Sequence, residues 1–480
     1  MAKHWIHKAK PVLPALAILA WFAANTWRAP FSGLDGDDLM NIYQAWKVPL
    51  RQMIFSNLTP FTSFYRPLGS AYYRTFHWAY GLNPLPYRVF TYALLVINLG
   101  LAYWAVRRLT KSAELGLLAC LLWSYHVGLV WIYTSNGTIY DTMCFTFFAL
   151  SLAIYAGLRE SGGFSWRACA AFFLCDVLAL NSKEMAVTIP VVLLAWESLY
   201  SAEPLFDRKG LRERMVLWAC CALTLGAVLA KTSAASVFTG NQGYMVHISL
   251  RQYFLTEIPL LREMFELPEH GMNTFYIVTM FVVMTVLGLV LKNRAMLLAL
   301  VLIVVMPLPI NFIDYRGFAV MYIPLLGWAL FLACLLMEIR DWVWKGIWKL
   351  PAAPEGMWGL DRVALFLATL YLVFQFNTGR TGWPVGQRTP LMGSIAELTK
   401  GAEEIYGRYP NAQRIMLLDD GFEMDTYDPI FIVRLIYNNQ IVEVDRMKNP
   451  SRLIPGVKDD VTVSYCSGKY TFDRCAGGSN

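Results

Sequence analysis

The chain has 480 residues, of which 56% are hydrophobic and only 16% charged, against about 25% charged in an average soluble domain. With a mean hydropathy of +0.42, a soluble globule of this composition would leave large apolar patches in water, whereas runs of about 20 apolar residues suit a bilayer. The net charge of +7 lies in short basic clusters between apolar runs, so it reads as membrane topology and gives no support to a nucleic-acid partner.

The N-terminal MAKHWIHKAK is basic and leads into a first apolar run. That pattern could mark a signal peptide, but the run is long and no small-residue cleavage site stands out, so an uncleaved first span is favoured. Apolar segments that could span fall at about 11–29, 87–106, 115–134, 138–157, 167–181, 185–200, 213–231, 273–291, 295–311, 317–337 and 361–377, about eleven in all. Lysines and arginines cluster in alternate connections: Arg107, Arg108 and Lys111; Arg159 and Arg167; Arg208, Lys209, Arg212 and Arg214; Lys292 and Arg294; Arg340, Lys345 and Lys349. The positive-inside rule then places the N-terminus in the cytoplasm and, for an odd count, the C-terminal tail outside it.

Two expected outer loops are long. Residues 30–86 hold Asp35, Asp37 and Asp38, and the stretch DLMNIYQAWKVPLRQMIF reads as amphipathic helix suited to the membrane surface. Residues 232–272 hold Arg251, Glu257, Arg262 and Glu263. Loops of this length are usually functional. The polar tail, 380–480, alternates strand and helix: RIMLLDD, PIFIVRLIYNN and QIVEVDR, with VTVSYC and KYTFDRC as a hairpin. A small extracytoplasmic α/β domain is expected there, after an all-α polytopic membrane domain over 1–379. Its carboxylate run LLDDGFEMDTYD reads as a solvated strand-to-helix turn. Seven cysteines fall in apolar runs, whereas Cys466 and Cys475 lie in the tail and could form a disulfide or remain free thiols. No GxxxxGK[ST], no GxGxxG after a strand and no GxSxG occurs, which disfavours ATP hydrolysis, dinucleotide chemistry and a nucleophile-elbow hydrolase.

The predicted topology gathers ionisable residues at one boundary: Asp35, Asp37 and Asp38 after the first span, Arg66 and Arg74 in the first loop, Asp141 before the fourth span, Lys183 and Glu184 between the fifth and sixth, and Asp314 and Arg316 between the ninth and tenth. Each has a plain alternative as a helix cap, a local Lys183–Glu184 pair or an interfacial anchor. Their shared side makes them functional candidates. Carboxylates beside cations at a lipid boundary suit glycosyl transfer from a polyprenyl-phosphate sugar. A carboxylate deprotonates the acceptor hydroxyl, the transition state has oxocarbenium character, and fixed cations stabilise the leaving phosphate. A transporter or flippase of a lipid-linked sugar is the alternative; it needs polar residues deep in several spans, and Asp176 is the main one.

At GDDL in the first loop, FYRPLGS at 64–70, VWIYTSNGTIYDTMCF at 130–145, NSKEMAVTIPVVLLAWE at 181–197 and DYRGFAVMYIPLLG at 314–327, the sequence resembles the GT-C membrane glycosyltransferases, within them the protein O-mannosyltransferase branch with its transmembrane-and-TPR relatives. The resemblance implies that Asp37 or Asp38 is the catalytic base, with Asp37 preferred. It implies that Arg316, Lys183 and Arg66 contact the donor phosphate, and that Asp141, Glu184 and Asp314 position the acceptor or the cations. Two departures stand: Asp314-Tyr-Arg316-Gly replaces a Glu-Arg-Tyr order, and the tail lacks TPR-like repeats. No fixed cofactor is expected, although three close aspartates could hold a divalent metal. The implied partners are a polyprenyl-phosphate sugar, membrane lipid, and a glycan, lipid or protein acceptor, with the protein in the plasma or inner membrane.

Overall fold

The computed structural model describes residues 12–62, 66–161, 165–201, 204–206, 214–233, 245–349, 359–378, 389–449, 459–466 and 469–472. Phe64, Tyr65 and Cys475, and with Cys475 the expected pairing to Cys466, lie outside these. The helices run α1 (Val12–Thr26), α2 (Gly36–Lys47), α3 (Leu50–Leu58), α4 (Pro67–Tyr80), α5 (Pro84–Thr110), α6 (Ala113–Ser124), α7 (Val130–Thr134), α8 (Ile139–Ser161), α9 (Trp166–Ser182) and α10 (Ile189–Tyr200). They continue with α11 (Met215–Ser233), α12 (Leu250–Phe265), α13 (Thr274–Val290), α14 (Arg294–Val305), α15 (Leu308–Asn311), α16 (Leu325–Asp341), α17 (Leu360–Thr378), α18 (Pro390–Arg408) and α19 (Asp428–Ile436).

Among the described residues, Val12–Phe31, Pro84–Thr110, Asn136–Ser161, Arg294–Asn311 and Leu360–Thr378 are long and apolar enough to cross a membrane. Ala113–Ser124 with Val127–Thr134 makes a sixth if a pair bent by 61° counts as one span. The expected eleven are not reached by this measure, and the reason is local. Several apolar segments are interrupted at one end of the bundle: α6 stops before Tyr125–His126, a 3-10 turn (Glu184–Thr188) separates α9 from α10, and another (Phe318–Tyr322) precedes α16. Pro190 sits in the first turn of α10 and Pro324 caps α16; each lacks an N–H and so starts a helix without extending it backwards. The turns at 127–129 and 318–322 pack on one another, and the 184–188 turn packs on Leu308–Asn311; this is the site end of the bundle.

Two cores form. One, including Phe22, Leu95, Trp123, Phe145, Met296 and Leu330, joins the long helices. The other joins the first-loop helices to the C-terminal unit, through Leu39, Ile42, Tyr73, Leu398, Ile415 and Val463. That unit is α/β as expected: β1 (Arg414–Leu417), β2 (Glu443–Arg446), β3 (Val461–Cys466) and β4 (Lys469–Thr471) lie in the order β2-β1-β3-β4, with β1 parallel to both neighbours and β3–β4 an antiparallel hairpin. The expectation of an amphipathic surface stretch divides in two. Leu39, Ile42 and Tyr43 of α2 are buried, and Tyr43 stacks on Phe431 of α19 at 4.5 Å. On α3, Leu50, Ile54, Phe55 and Leu58 stay exposed.

Candidate functional site

The first loop enters α2 through a capping box. Asp35 Oδ1 accepts from the Asp38 N–H at 2.9 Å, and Asp38 Oδ2 accepts from the Asp35 N–H at 3.1 Å. This is the reciprocal satisfaction of free helix-start donors that a D-x-x-D spacing allows. Asp38 is fully buried and pairs at 3.0 Å with Arg88 of α5, whose guanidinium also donates to the Gly33 carbonyl. Burial, reinforced by Asp35, pushes the Asp38 carboxyl well above the carboxylate range, with Arg88 opposing. Asp37 faces the other way. It is exposed and lies against Gly137, where an added Cβ would come within 3.0 Å of the Asp37 Cβ. Removal of water by its surroundings raises the Asp37 carboxyl, as does Asp35, while Arg316 lowers it.

Two crossed ion pairs flank this turn. Lys183, extended between α9 and the 3-10 turn, donates to Asp141 in the first turn of α8, and both are buried. Arg66 forks onto Glu184 at 2.6, 2.9 and 3.1 Å. The alternative of a local Lys183–Glu184 pair is therefore replaced by two long-range pairs. Burial alone would raise the Glu184 carboxyl, but Arg66 and Lys183 overcome it and hold it at about 2. The Arg66 guanidinium also lies 5.2 Å from the centre of the Tyr140 ring, within cation–π range. Tyr140 donates to Asn41 Oδ1 of α2 at 2.9 Å and so ties the pairs to the aspartate turn.

The third component is the extended segment 312–317, which α12 holds by its backbone. Gln252 and Thr256 donate to the Ile313 carbonyl at 3.0 and 2.7 Å, and Asn311 donates to buried Glu257 at 2.6 Å. Burial, only partly offset by Asn311, pushes Glu257 up to about 7. Arg316 is exposed and its charge acts on Asp37. Asp314 is turned instead toward Gln252, at 3.4 Å. A cleft of 550 Å³ opens beside this segment, its mainly apolar lining (Val130, Trp131, Phe318) bearing Arg262, Glu263 and Glu266. It adjoins an apolar groove of 310 Å³ between α6, α16 and α17, lined by Tyr125, His126, Phe265, Trp328, Leu336 and Phe376. Segments 125–128 and 264–267 contribute to both.

The C-terminal unit supplies a carboxylate that the sequence reading passed over. Asp428 opens α19 and rests on Gly36, where an added Cβ would lie 3.3 and 3.4 Å from its two carboxylate oxygens. Burial, then Asp35 and Asp37, push Asp428 up to about 6, against Arg446. Docking is fixed by the Tyr43–Phe431 stack, by Arg434 donating to the Tyr43 hydroxyl at 3.0 Å, and by Trp46 donating to Asn438 at 2.9 Å. The one available signal was the run LLDDGFEMDTYD. Elsewhere in that run Asp420 is a buried partner of Arg446, at 2.7 and 2.8 Å. Of the predicted residues, Asp37, Arg316, Lys183, Asp141, Arg66 and Glu184 lie at one end of the bundle, while Asp38 is buried against Arg88 and Asp314, also exposed, accepts from Gln252. Asp35 and Asp38 commit oxygens to each other's backbone, and among the described residues no group of three or more His, Cys, Asp or Glu side chains converges to hold a metal ion.

No family model matches the chain, and no curated protein matches its sequence. Solved structures do share its fold. The apo oligosaccharyltransferase of Archaeoglobus fulgidus superposes with a TM-score of 0.51 at 12% identity, over 93% of this chain and 65% of that one. The same organism's oligosaccharyltransferase AglB, in complex with an inhibitory peptide and a dolichol-phosphate, gives 0.52 at 13%, over 94% and 65%. ArnT from Cupriavidus metallidurans, bound to undecaprenyl phosphate, gives 0.48 at 14%, over 97% and 93%. The chain therefore spans about 65% of the length of the archaeal structures it matches. At these identities the likeness establishes the fold alone, the one seen in the archaeal oligosaccharyltransferase.

Proposed function

We propose that the protein is an integral membrane glycosyltransferase that moves a hexose from a polyprenyl-phosphate donor to an extracytoplasmic hydroxyl, with Asp37 as general base. The observation that carries this reading is the exposed Asp37, within reach of the Arg316 charge, at the end of the bundle where a cleft bearing Arg262, Glu263 and Glu266 adjoins an apolar groove between long helices. A lipid-linked sugar has that two-part character: its tail suits the groove and its phosphate suits the cation-bearing rim. The archaeal AglB structure with dolichol-phosphate lends the same fold a ligand of this chemistry.

In the reaction, Asp37 takes the acceptor proton as the acceptor oxygen attacks the anomeric carbon and the bond from that carbon to the phosphate oxygen breaks. The phosphate leaves with added negative charge. Arg316 stabilises that charge first, because its side chain is at the surface; Lys183 and Arg66 are engaged with carboxylates and set the field behind it. Asp38 supports the turn from beneath. The N-terminus lies in the cytoplasm, and the site and C-terminal unit lie outside it.

The test is transfer of labelled hexose from a polyprenyl-phosphate hexose by the purified protein in vesicles, read as both glycosylated acceptor and freed lipid phosphate. Thiols placed at positions 37 and 316 should react with an impermeant reagent from the same side. Failure of transfer with every polyprenyl-phosphate hexose, or labelling from opposite sides, overturns the proposal.

A further inference from the structure

Asp428 and Asp35 lie on either side of Gly36, one from the C-terminal unit and one from the first loop, where the two share a core. Asp428 is 8% exposed and Asp35 7%. Asp35 Oδ1 is taken by the capping N–H, and among the described residues its buried Oδ2 has no hydrogen-bond partner and the Asp428 carboxylate accepts no hydrogen bond. Buried acceptors are almost always satisfied in folded proteins. One such acceptor on Asp35, with the Asp428 carboxylate across Gly36 and the open Asp37 beside it, marks a place where a ligand's donors fit. Acceptor-only carboxylates call for O–H or N–H groups. Several such groups on neighbouring atoms suit a polyhydroxy compound, whereas a serine or threonine side chain offers one.

We propose that Asp428, with Asp35, forms the acceptor subsite, and that it takes a sugar: one hydroxyl lies on Asp37 and a neighbouring hydroxyl donates to Asp428. The C-terminal unit is then part of the working site, and its docking on α2 completes it. Asp428 is a specificity-determining residue, and its place depends on Gly36 having no side chain. This rests on the glycosyl-transfer reading above and narrows the acceptor it left open.

The test pairs substrate and protein changes. Purified protein in vesicles, supplied with a polyprenyl-phosphate hexose, is offered a panel of methyl hexopyranosides, their monodeoxy analogues and a serine-containing peptide. The wild type should prefer the best glycoside over its analogue lacking the neighbouring hydroxyl by tenfold or more in kcat/KM, and over the peptide by more. Asp428→Asn should raise the KM for that glycoside about tenfold, exceed any change in donor KM, and collapse the preference over the deoxy analogue to about twofold. Gly36→Ala, which crowds the carboxylate and keeps its charge, should act in the same direction if Asp428→Asn proves unstable. A preference undiminished in both variants, or wild-type transfer to the peptide as fast as to any glycoside, overturns the subsite and leaves the glycosyltransferase reading standing. No transfer and no release of lipid phosphate overturns both.

Discussion

The two ends of the helix bundle use the same residue types to opposite effect. At the far end, Glu197 of α10 accepts from Arg159 at 2.7 Å and from the Tyr155 hydroxyl at 2.8 Å on one oxygen, and from Arg214 at 2.7 Å on the other; Glu197 is 1% exposed and Arg214 is fully buried. Arg340 of α16 similarly binds Glu114 and Asp341. Glu197 is saturated and closed in by protein. At the site end Asp37 is open, and among the described residues Asp35 Oδ2 has no hydrogen-bond partner and Asp428 accepts no hydrogen bond. Charges that hold helices together have their partners built in; charges that meet a ligand leave capacity unfilled.

The comparison can be broken by exchanging its halves. Asp37→Asn should lower transfer by about 10²–10⁴-fold, the range for loss of a general base, with unchanged thermal unfolding in detergent. Full activity in that variant would remove Asp37 from the role. Glu197→Gln should do the reverse: removing one partner from a buried pair costs about 3–5 kcal/mol, seen as earlier loss of monodisperse protein on heating, while kcat per folded molecule stays near wild type. A variant as stable as wild type would show the far-end network to be idle. Arg316→Ala should raise the donor KM about tenfold, a loss of about 1.4 kcal/mol, and change the acceptor KM less. Equal effects on both would move Arg316 from the phosphate to general positioning.

The smallest effect concerns pH. Asp37 works only when deprotonated, and its carboxyl is raised by desolvation and by Asp35. Activity should therefore fall, as pH drops, at a value above the ~3.9 of an ordinary aspartate. An acid limb at or below that value would exclude Asp37 as the titrating base.

Much of this was legible in the sequence because it is local. Hydrophobic runs mark the long helices, and IDYRG marks a break between two of them. D-x-x-D spacing before LMNIY marks a helix start, and strand and helix patterns in the tail match the sheet observed. The span count was less legible: apolar segments such as 185–200 and 317–337 look continuous to hydropathy, yet begin in 3-10 turns that shape the site. The crossed pairing of Lys183 with Asp141 and Arg66 with Glu184 was hidden for another reason, since adjacent residues in an extended segment point to opposite sides.

The sequence by itself determined where the chain is apolar, where its helices start and which boundary gathers charge, since each depends on residues within a few turns of one another. Only the tertiary structure decided which aspartate is open. Successive helix residues project about 100° apart, so Asp37 and Asp38 must face different neighbours, but Arg88, which buries one of them, comes from fifty positions along the chain. Only the docking of α19 on α2 brings Asp428 to Gly36, because carboxylates so far apart in the chain meet through packing of a shared core, for which no local pattern of residues stands as a signal.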